Sequence, residues 1–353
     1  MSSTLILGCL IVAVGGLFMG SGAWPFKLMR KYQFEHWWLI ATFTGLVVLP
    51  WTITLVFCPD AIGGFRSVLA SNWRDILLSN GLSMLWGVAN ILCGLCFVRI
   101  GVGLTGAILT GIGATVGIMS PLLFKSAGMG KFADAPNVFT PAGMWVLAGL
   151  AVMLVGVVLA TFAGFGRDRV LQKERQQTHG NFAGGLALTV IAGVLSAGLA
   201  LAFVYSNGPI AKAMIARGAA ELPASISVWA LGVMGGALVN VIYPIYLLTK
   251  NKSWGVFGKS PGELLLSLLM GVNTIIAISL AGYGMRMVGA LGAAVGIGIQ
   301  QTAQIMGGQG LGFISGEWRG IHGKPRVQMY AAILMLVVAG LFMAYGNKVL
   351  KGG

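Results

Sequence analysis

Long apolar stretches alternate with short polar connectors along the whole chain, and the charged residues fall in the connectors. About 20 apolar residues cross the hydrocarbon core of a bilayer as a helix. By that measure the first half predicts spans near Thr4–Ser21, Trp37–Phe57, Ile76–Val98, Val102–Leu123 and Gly143–Phe165. The second half predicts Gly184–Tyr205, Ile226–Leu248, Leu264–Tyr283, Val288–Ile314 and Gln328–Tyr345, ten spans altogether. Only Arg99–Gly101 separates the third span from the fourth, and Gly284–Met287 the eighth from the ninth, so both pairs are expected to be antiparallel hairpins. The first stretch has no basic lead before Thr4 and no clear small-residue cleavage site, so it is expected to remain as a helix.

Composition fixes the solvent. Charged residues make up 9% of 353 positions, hydrophobic ones 57%, and mean hydropathy is +0.87. A soluble domain carries roughly 25% charged residues, so the fold class is an all-α integral membrane protein whose partner is the lipid bilayer. The excess of 23 Lys+Arg over 9 Asp+Glu raises nucleic acid as a partner. The basic residues are scattered through connectors without a stripe or a nucleic-acid module, which excludes that reading. They follow the positive-inside rule instead. With the N-terminus outside, fourteen fall in inner connectors, among them Lys27, Arg30, Lys31, Arg167, Arg169, Lys173 and Arg175, against nine in outer ones. Both termini are then expected outside.

The longest hydrophilic run, Gly166–Asn181, divides the spans into two groups of five. The expected organisation is a first five-helix repeat over 1–165, a cytoplasmic linker over 166–181 and a second repeat over 182–353. An odd number of spans per repeat makes any relation between the two an inversion across the membrane plane. Arg99–Pro121 laid on Arg286–Gly308 without gaps matches Arg99 with Arg286, Ala107 with Ala294, Gly111 with Gly298 and Thr115 with Thr302. Chance matching of Gly/Ala-rich spans explains such an alignment equally well.

Fifty-five glycines need a reason in helices, where each costs about 1 kcal/mol against alanine. Small faces that let helix backbones approach closely supply one, as along Gly232, Gly236 and Asn240, and along Gly292, Gly296 and Gln300. Polar residues at mid-span depth say more. Asn80, Ser83, Gly87 and Asn90 share one face of the third span, with Trp86 at its edge. Asn273 and Thr274 lie in the eighth span, and Gln300, Gln301 and Gln304 crowd about one turn of the ninth. A single such amide is ordinary interhelical glue. Three glutamines in one turn and a central Trp favour a polar cavity near the midplane, where transporters hold their solutes. Trp86, Asn90, Asn273, Gln300, Gln301 and Gln304 are the candidate substrate residues. Amides pair with hydroxyls and an aromatic face packs the apolar side of a sugar ring, whereas no acid or base lies mid-span to meet an ionic solute. A small neutral sugar is the expected ligand.

Every acid lies at a span end or in a loop: Glu35, Asp60, Asp75, Asp134, Asp168, Glu174, Glu221, Glu263 and Glu317. Glu35, beside His36 at the start of the second span, and Glu317, at the end of the ninth, are the candidates for proton coupling. Solvated interface charge is their plainer explanation. Cys93 and Cys96 form a C-x-x-C without flanking ligands or a redox fold, and nothing pairs Cys9 with Cys58. No P-loop, GxSxG or HExxH is present. No cofactor, metal or enzymatic activity is therefore expected, and the chain is expected to act as a monomer or weak dimer.

Several segments in order resemble the L-rhamnose–proton symporter family of the drug/metabolite transporter superfamily. They are Ala23-Trp-Pro-Phe-Lys27, Leu49-Pro-Trp51, Trp86-Gly-Val-Ala-Asn90, Leu195-Ser-Ala-Gly198, Met234-Gly-Gly236 with Asn240, and Glu317-Trp318 ahead of Pro325. The resemblance runs almost end to end. It implies two inverted five-helix repeats, sugar uptake coupled to protons, and residence in a bacterial inner membrane. Around Asn273 and Gln300–Gln304 the chain departs from the family's more aromatic pattern. The alternative within transport is a metabolite exporter or exchanger of the same superfamily; a membrane enzyme or channel is the reading from another class.

Overall fold

In the computed structural model the described residues are 3–22, 24–100, 102–126, 139–172, 182–288, 292–316 and 318–352, and every element among them is helical. The first group is α1 (Ser3–Ser21), α2 (Phe34–Thr42), α3 (Leu49–Phe57), α4 (Ala61–Ile100), α5 (Val102–Ser126) and α6 (Pro141–Gln172). The second is α7 (Phe182–Ser196), α8 (Gly198–Ile215), α9 (Glu221–Leu231), α10 (Met234–Lys250), α11 (Pro261–Val288), α12 (Gly292–Ile314) and α13 (Lys324–Gly352). Seven runs are long and apolar enough to cross a membrane: Thr4–Leu28, Phe34–Phe57, Ala61–Cys96, Pro141–Arg167, Gly184–Ile215, Pro261–Val288 and Lys324–Gly346. An eighth follows if α9 and α10 form one bent span. The other two expected spans coincide with α5 and α12, outside that set.

The differences from the expected spans are local. α4 starts at Ala61, well ahead of Ile76, and carries non-helical angles at Asn72 (φ −130°, ψ 24°). α6 continues to Gln172, into the stretch expected as linker. The span expected over Gly184–Tyr205 is interrupted at Ala197, and that over Ile226–Leu248 is two helices bent by 55°. Between α2 and α3 the ladder widens into a π-helix over Phe43–Val48. Pro50, next in line in α3, has no N–H to continue an α-helical ladder.

Helices from before and after residues 166–181 pack against one another. α1 wedges between α11 and α12, α4 lies against α7, α8 and α10, and α6 pairs along its length with α13. Glycines permit the close approaches of α1: a Cβ on Gly15 would lie 2.7 Å from the Ala281 backbone nitrogen, and one on Gly8 2.9 Å from Met287 Cβ. Large apolar side chains such as Leu10, Val56, Leu77, Leu265, Leu334 and Leu341 are more than half exposed. In water such a surface would aggregate; in a bilayer it is the lipid face.

Candidate substrate and proton site

The centre of the bundle is built around broken helices. Gly232 and the pair Gly235–Gly236 weaken the ladder, and α9 ends at Leu231 with α10 starting at Met234. A break frees carbonyls on one side and N–H groups on the other, each costing several kcal/mol in hydrocarbon if unpaired. Three side chains on one face of α4 meet them. Asn80 Nδ2 donates to the Leu231 carbonyl (3.0 Å) and its Oδ1 accepts from the Gly235 N–H (2.7 Å). Ser79 Oγ donates to the Gly232 carbonyl (2.7 Å), and Ser83 Oγ accepts from the Gly236 N–H (2.9 Å). Part of the polar face read on the third span therefore clamps the bend.

Above this clamp lies one apolar cluster drawn from both groups of helices. Leu46, Ala202, Ile226, Trp229, Val233, Ala237, Ile275 and Ile278 are its buried members, and Trp86, Phe203 and Met19 pack against it. Trp86 stands edge-on to Trp229 (centroids 6.2 Å, 73°), and so does Phe203 (5.1 Å, 64°). Gly236 makes room for Trp86, since a Cβ there would lie 2.8 Å from the indole Cε3.

Of the remaining candidate substrate residues, Asn90 stays on α4, while Asn273 and the α12 glutamines lie against α1. Asn273 Nδ2 donates to the Phe18 carbonyl (2.8 Å). Gly16 and Gly20 of α1 run against the backbone carbonyls of Gln300 and Gln304. The structure thus brings Asn273 and the α12 glutamines to a common neighbour, α1, and Trp86 to the central cluster. Among the described residues the side-chain amides of Asn90, Gln300, Gln301 and Gln304 make no hydrogen bond, whereas that of Asn240 accepts from Trp38 and donates to the Gly236 carbonyl. A groove of about 290 Å³ opens between α1 and α12, lined by Leu17, Phe18, Ser21, Met306, Gly307, Gly310, Leu311 and Ile314; it holds none of the candidates.

The acids at the starts of α2 and α11 are not solvated. Glu35 is 4% exposed, His36 1% and Glu263 9%. Glu35 Oε1 accepts from Asn251 Nδ2 (2.9 Å). His36 Nδ1 accepts the Gln33 N–H (3.2 Å), so the proton sits on Nε2, 3.1 Å from the Ser253 carbonyl. Glu263 accepts from the backbone N–H groups of Arg30, Lys31 and Tyr32 at 2.6–3.1 Å. Each side therefore grips the other's connector. Burial, and then the Glu263 charge, raise the Tyr32 phenol above its ordinary range. Glu263 was missed as a candidate; an acid two residues past a helix-starting Pro261 was its only signal. Glu317 lies outside the described residues. Among the described residues, Arg286 in the last turn of α11 pairs with the exposed Glu221 (3.1 Å), and Arg217 pairs with the exposed Asp60 (3.2 Å). None of the four cysteines forms a disulfide, and among the described residues no cluster of His, Cys, Asp or Glu is arranged to hold a metal.

A multi-pass helical bundle with interrupted spans at its centre and buried carboxylates at one end defines a membrane transporter by class. The chain belongs to the L-rhamnose-proton symport protein (RhaT) family, whose model matches residues 1–346. It is 26% identical over 354 residues to the L-rhamnose-proton symporter of Cronobacter sakazakii, covering 98% of this chain and 99% of that protein. The symporters of Yersinia pestis and Yersinia pseudotuberculosis are 25% identical with the same coverage. The family is one of transporters and not of enzymes.

Proposed function

We propose that this protein imports a neutral sugar, L-rhamnose or a close analogue, by proton symport. The family match over nearly the whole chain carries the reading, and the relatives' names favour import over the exporter alternative. The arrangement proposed is ten spans in two inverted five-helix repeats, 1–165 and 182–353, as in the drug/metabolite transporter superfamily. Residues 166–181 form the cytoplasmic linker, and both termini face outside a bacterial inner membrane. The transporter works as a monomer or weak dimer. Asn90, Asn273, Gln300, Gln301 and Gln304 offer amides to the sugar hydroxyls, and Trp86 offers a ring face. Free amides at Asn90 and on α12 support this, since they spend no hydrogen bond on the fold. Glu35 and Glu317 are the proton carriers proposed. Glu35 suits the task because it is buried against an amide, so it can exchange a proton without breaking an ion pair.

Counterflow of labelled L-rhamnose into proteoliposomes tests the transport step. Preloaded unlabelled sugar should drive transient accumulation of label without any pH gradient, and absence of counterflow would overturn the reading.

A further inference from the structure

Three interruptions of the helical ladder converge on one place. The π-helix over Phe43–Val48 contributes Leu46 and Val47, the α7/α8 junction contributes Leu199, Ala202 and Phe203, and the α9/α10 bend contributes Trp229 and Val233 to a single cluster. π-segments and broken spans concentrate at functional sites, the latter at the solute site of transporters. A bundle that needed only an apolar core there would gain nothing from three weakened helices.

The chemistry at the convergence is as specific as its backbone. The bend's own polar groups are paired by Ser79, Asn80 and Ser83. What is left unpaired is aromatic. Among the described residues neither the Trp86 nor the Trp229 indole N–H has an acceptor, although Trp229 is 93% buried, its exposure being 7%. Trp38 and Trp254 donate to Asn240 and Thr249 (3.2 and 3.3 Å), and the N–H groups of Trp24 and Trp318 are unpartnered and sealed inside the protein; those of Trp86 and Trp229, like that of Trp37, are unpartnered without being sealed. A buried indole ordinarily finds a partner for its N–H. Trp229 is buried and Trp86 half-buried, yet neither N–H is sealed inside the protein, so this pair, with ring centroids 6.2 Å apart where the interrupted helices meet, offers donors open to a ligand oxygen.

We infer that Trp86, Trp229 and Phe203 form the ring-binding subsite of the transporter, with Trp229 and Phe203 as determinants of sugar affinity that the sequence did not reveal. The class of ligand is a pyranose presenting an apolar C–H face to one ring and a hydroxyl oxygen to an indole N–H. The steep angles between the three rings, 64° and 73°, form walls instead of a closed stack, so a ring-shaped ligand meets one face-on and another by its edge. Trp229 sits on the α9 arm, three residues before the bend at Gly232, and Trp86 sits on the helix that clamps that bend. Ligand packed against both therefore couples the α9 arm to the helix that clamps the bend, which gives occupancy a grip on the angle that alternating access has to change.

The inference rests on the proposed sugar transport and deepens it. Its test is calorimetric titration of L-rhamnose into the purified full-length protein, with thermal unfolding of each variant recorded alongside. Trp229→Phe keeps a ring and loses the N–H, and should weaken binding about tenfold, as expected for one buried hydrogen bond. Phe203→Leu keeps apolar volume and loses the ring wall, and should weaken binding about three- to tenfold. Leu334→Ala on the lipid face should leave affinity unchanged. Should Phe203→Leu fail to fold, Trp229→Phe decides the matter, being the smaller change. If the parent protein binds L-rhamnose and folded Trp229→Phe binds within twofold of it, the trio is packing and the inference is overturned. If the parent binds no L-rhamnose, the sugar reading itself falls.

Discussion

At the scale of single residues, burial separates side chains that their sequence positions made look alike. Glu35, Glu263, Asp60 and Glu221 all occupy helix ends, yet the first two are enclosed and the last two are exposed partners of arginines. Exposed pairs contribute about 0–1 kcal/mol and are not where a transporter would couple a proton. Replacing Glu35 by Gln keeps the hydrogen bond to Asn251 within reach while removing the titratable group. Uptake driven by a pH gradient should then be lost with counterflow retained, and Glu317→Gln is expected to do the same if it shares the task. Undiminished accumulation in both variants would remove these acids from the mechanism. For the solute, a hydroxyl left facing an unpaired buried amide costs about 1–3 kcal/mol. Asn90→Ala, Gln301→Ala and Gln304→Ala should each weaken L-rhamnose binding roughly ten- to a hundredfold, and Trp86→Ala at least as much. Parent-like affinity in all four folded variants would make them helix glue.

At the scale of elements, the bend between α9 and α10 depends on α4. Asn80 alone satisfies one carbonyl and one N–H of the break. Asn80→Ala should lower stability by about 2–6 kcal/mol, taking 1–3 kcal/mol per orphaned group, read as a lower unfolding temperature in detergent; an unchanged midpoint would mean that water or backbone adjustment replaces the clamp. This element also shows what the sequence could reveal. Helix-length apolar stretches announced the helices, and the spacing of Asn80, Ser83 and Asn90 announced a shared polar face. The partners of that face were hidden, because hydrogen bonds to freed backbone groups depend on where another helix breaks. The same holds for Trp229. It meets Trp86 and Phe203 from one arm of a 55° bend, and no residue pattern along the chain pairs those three rings. Glu263 escaped notice because its three partners are backbone N–H groups some 230 residues away in sequence, which no side-chain pattern records.

At the scale of the whole molecule, the two ends of α11 are closed differently. Buried acceptors bind the 30–32 and 251–263 connectors at its start, while an exposed ion pair, Arg286–Glu221, serves its end. On the proposed topology the first end faces the cytoplasm. Single cysteines at Lys173 and Lys348 check this: membrane-impermeant thiol reagent added outside should label position 348 and spare 173, and the reverse pattern would invert the topology. The central claim is coupling of sugar to protons. Its most direct measurement is the pH of a weakly buffered, de-energised suspension of proteoliposomes when L-rhamnose is added outside. Symport predicts that the medium turns alkaline as protons enter with the sugar, and that a protonophore abolishes the change. Sugar entry with no movement of external pH would contradict the account.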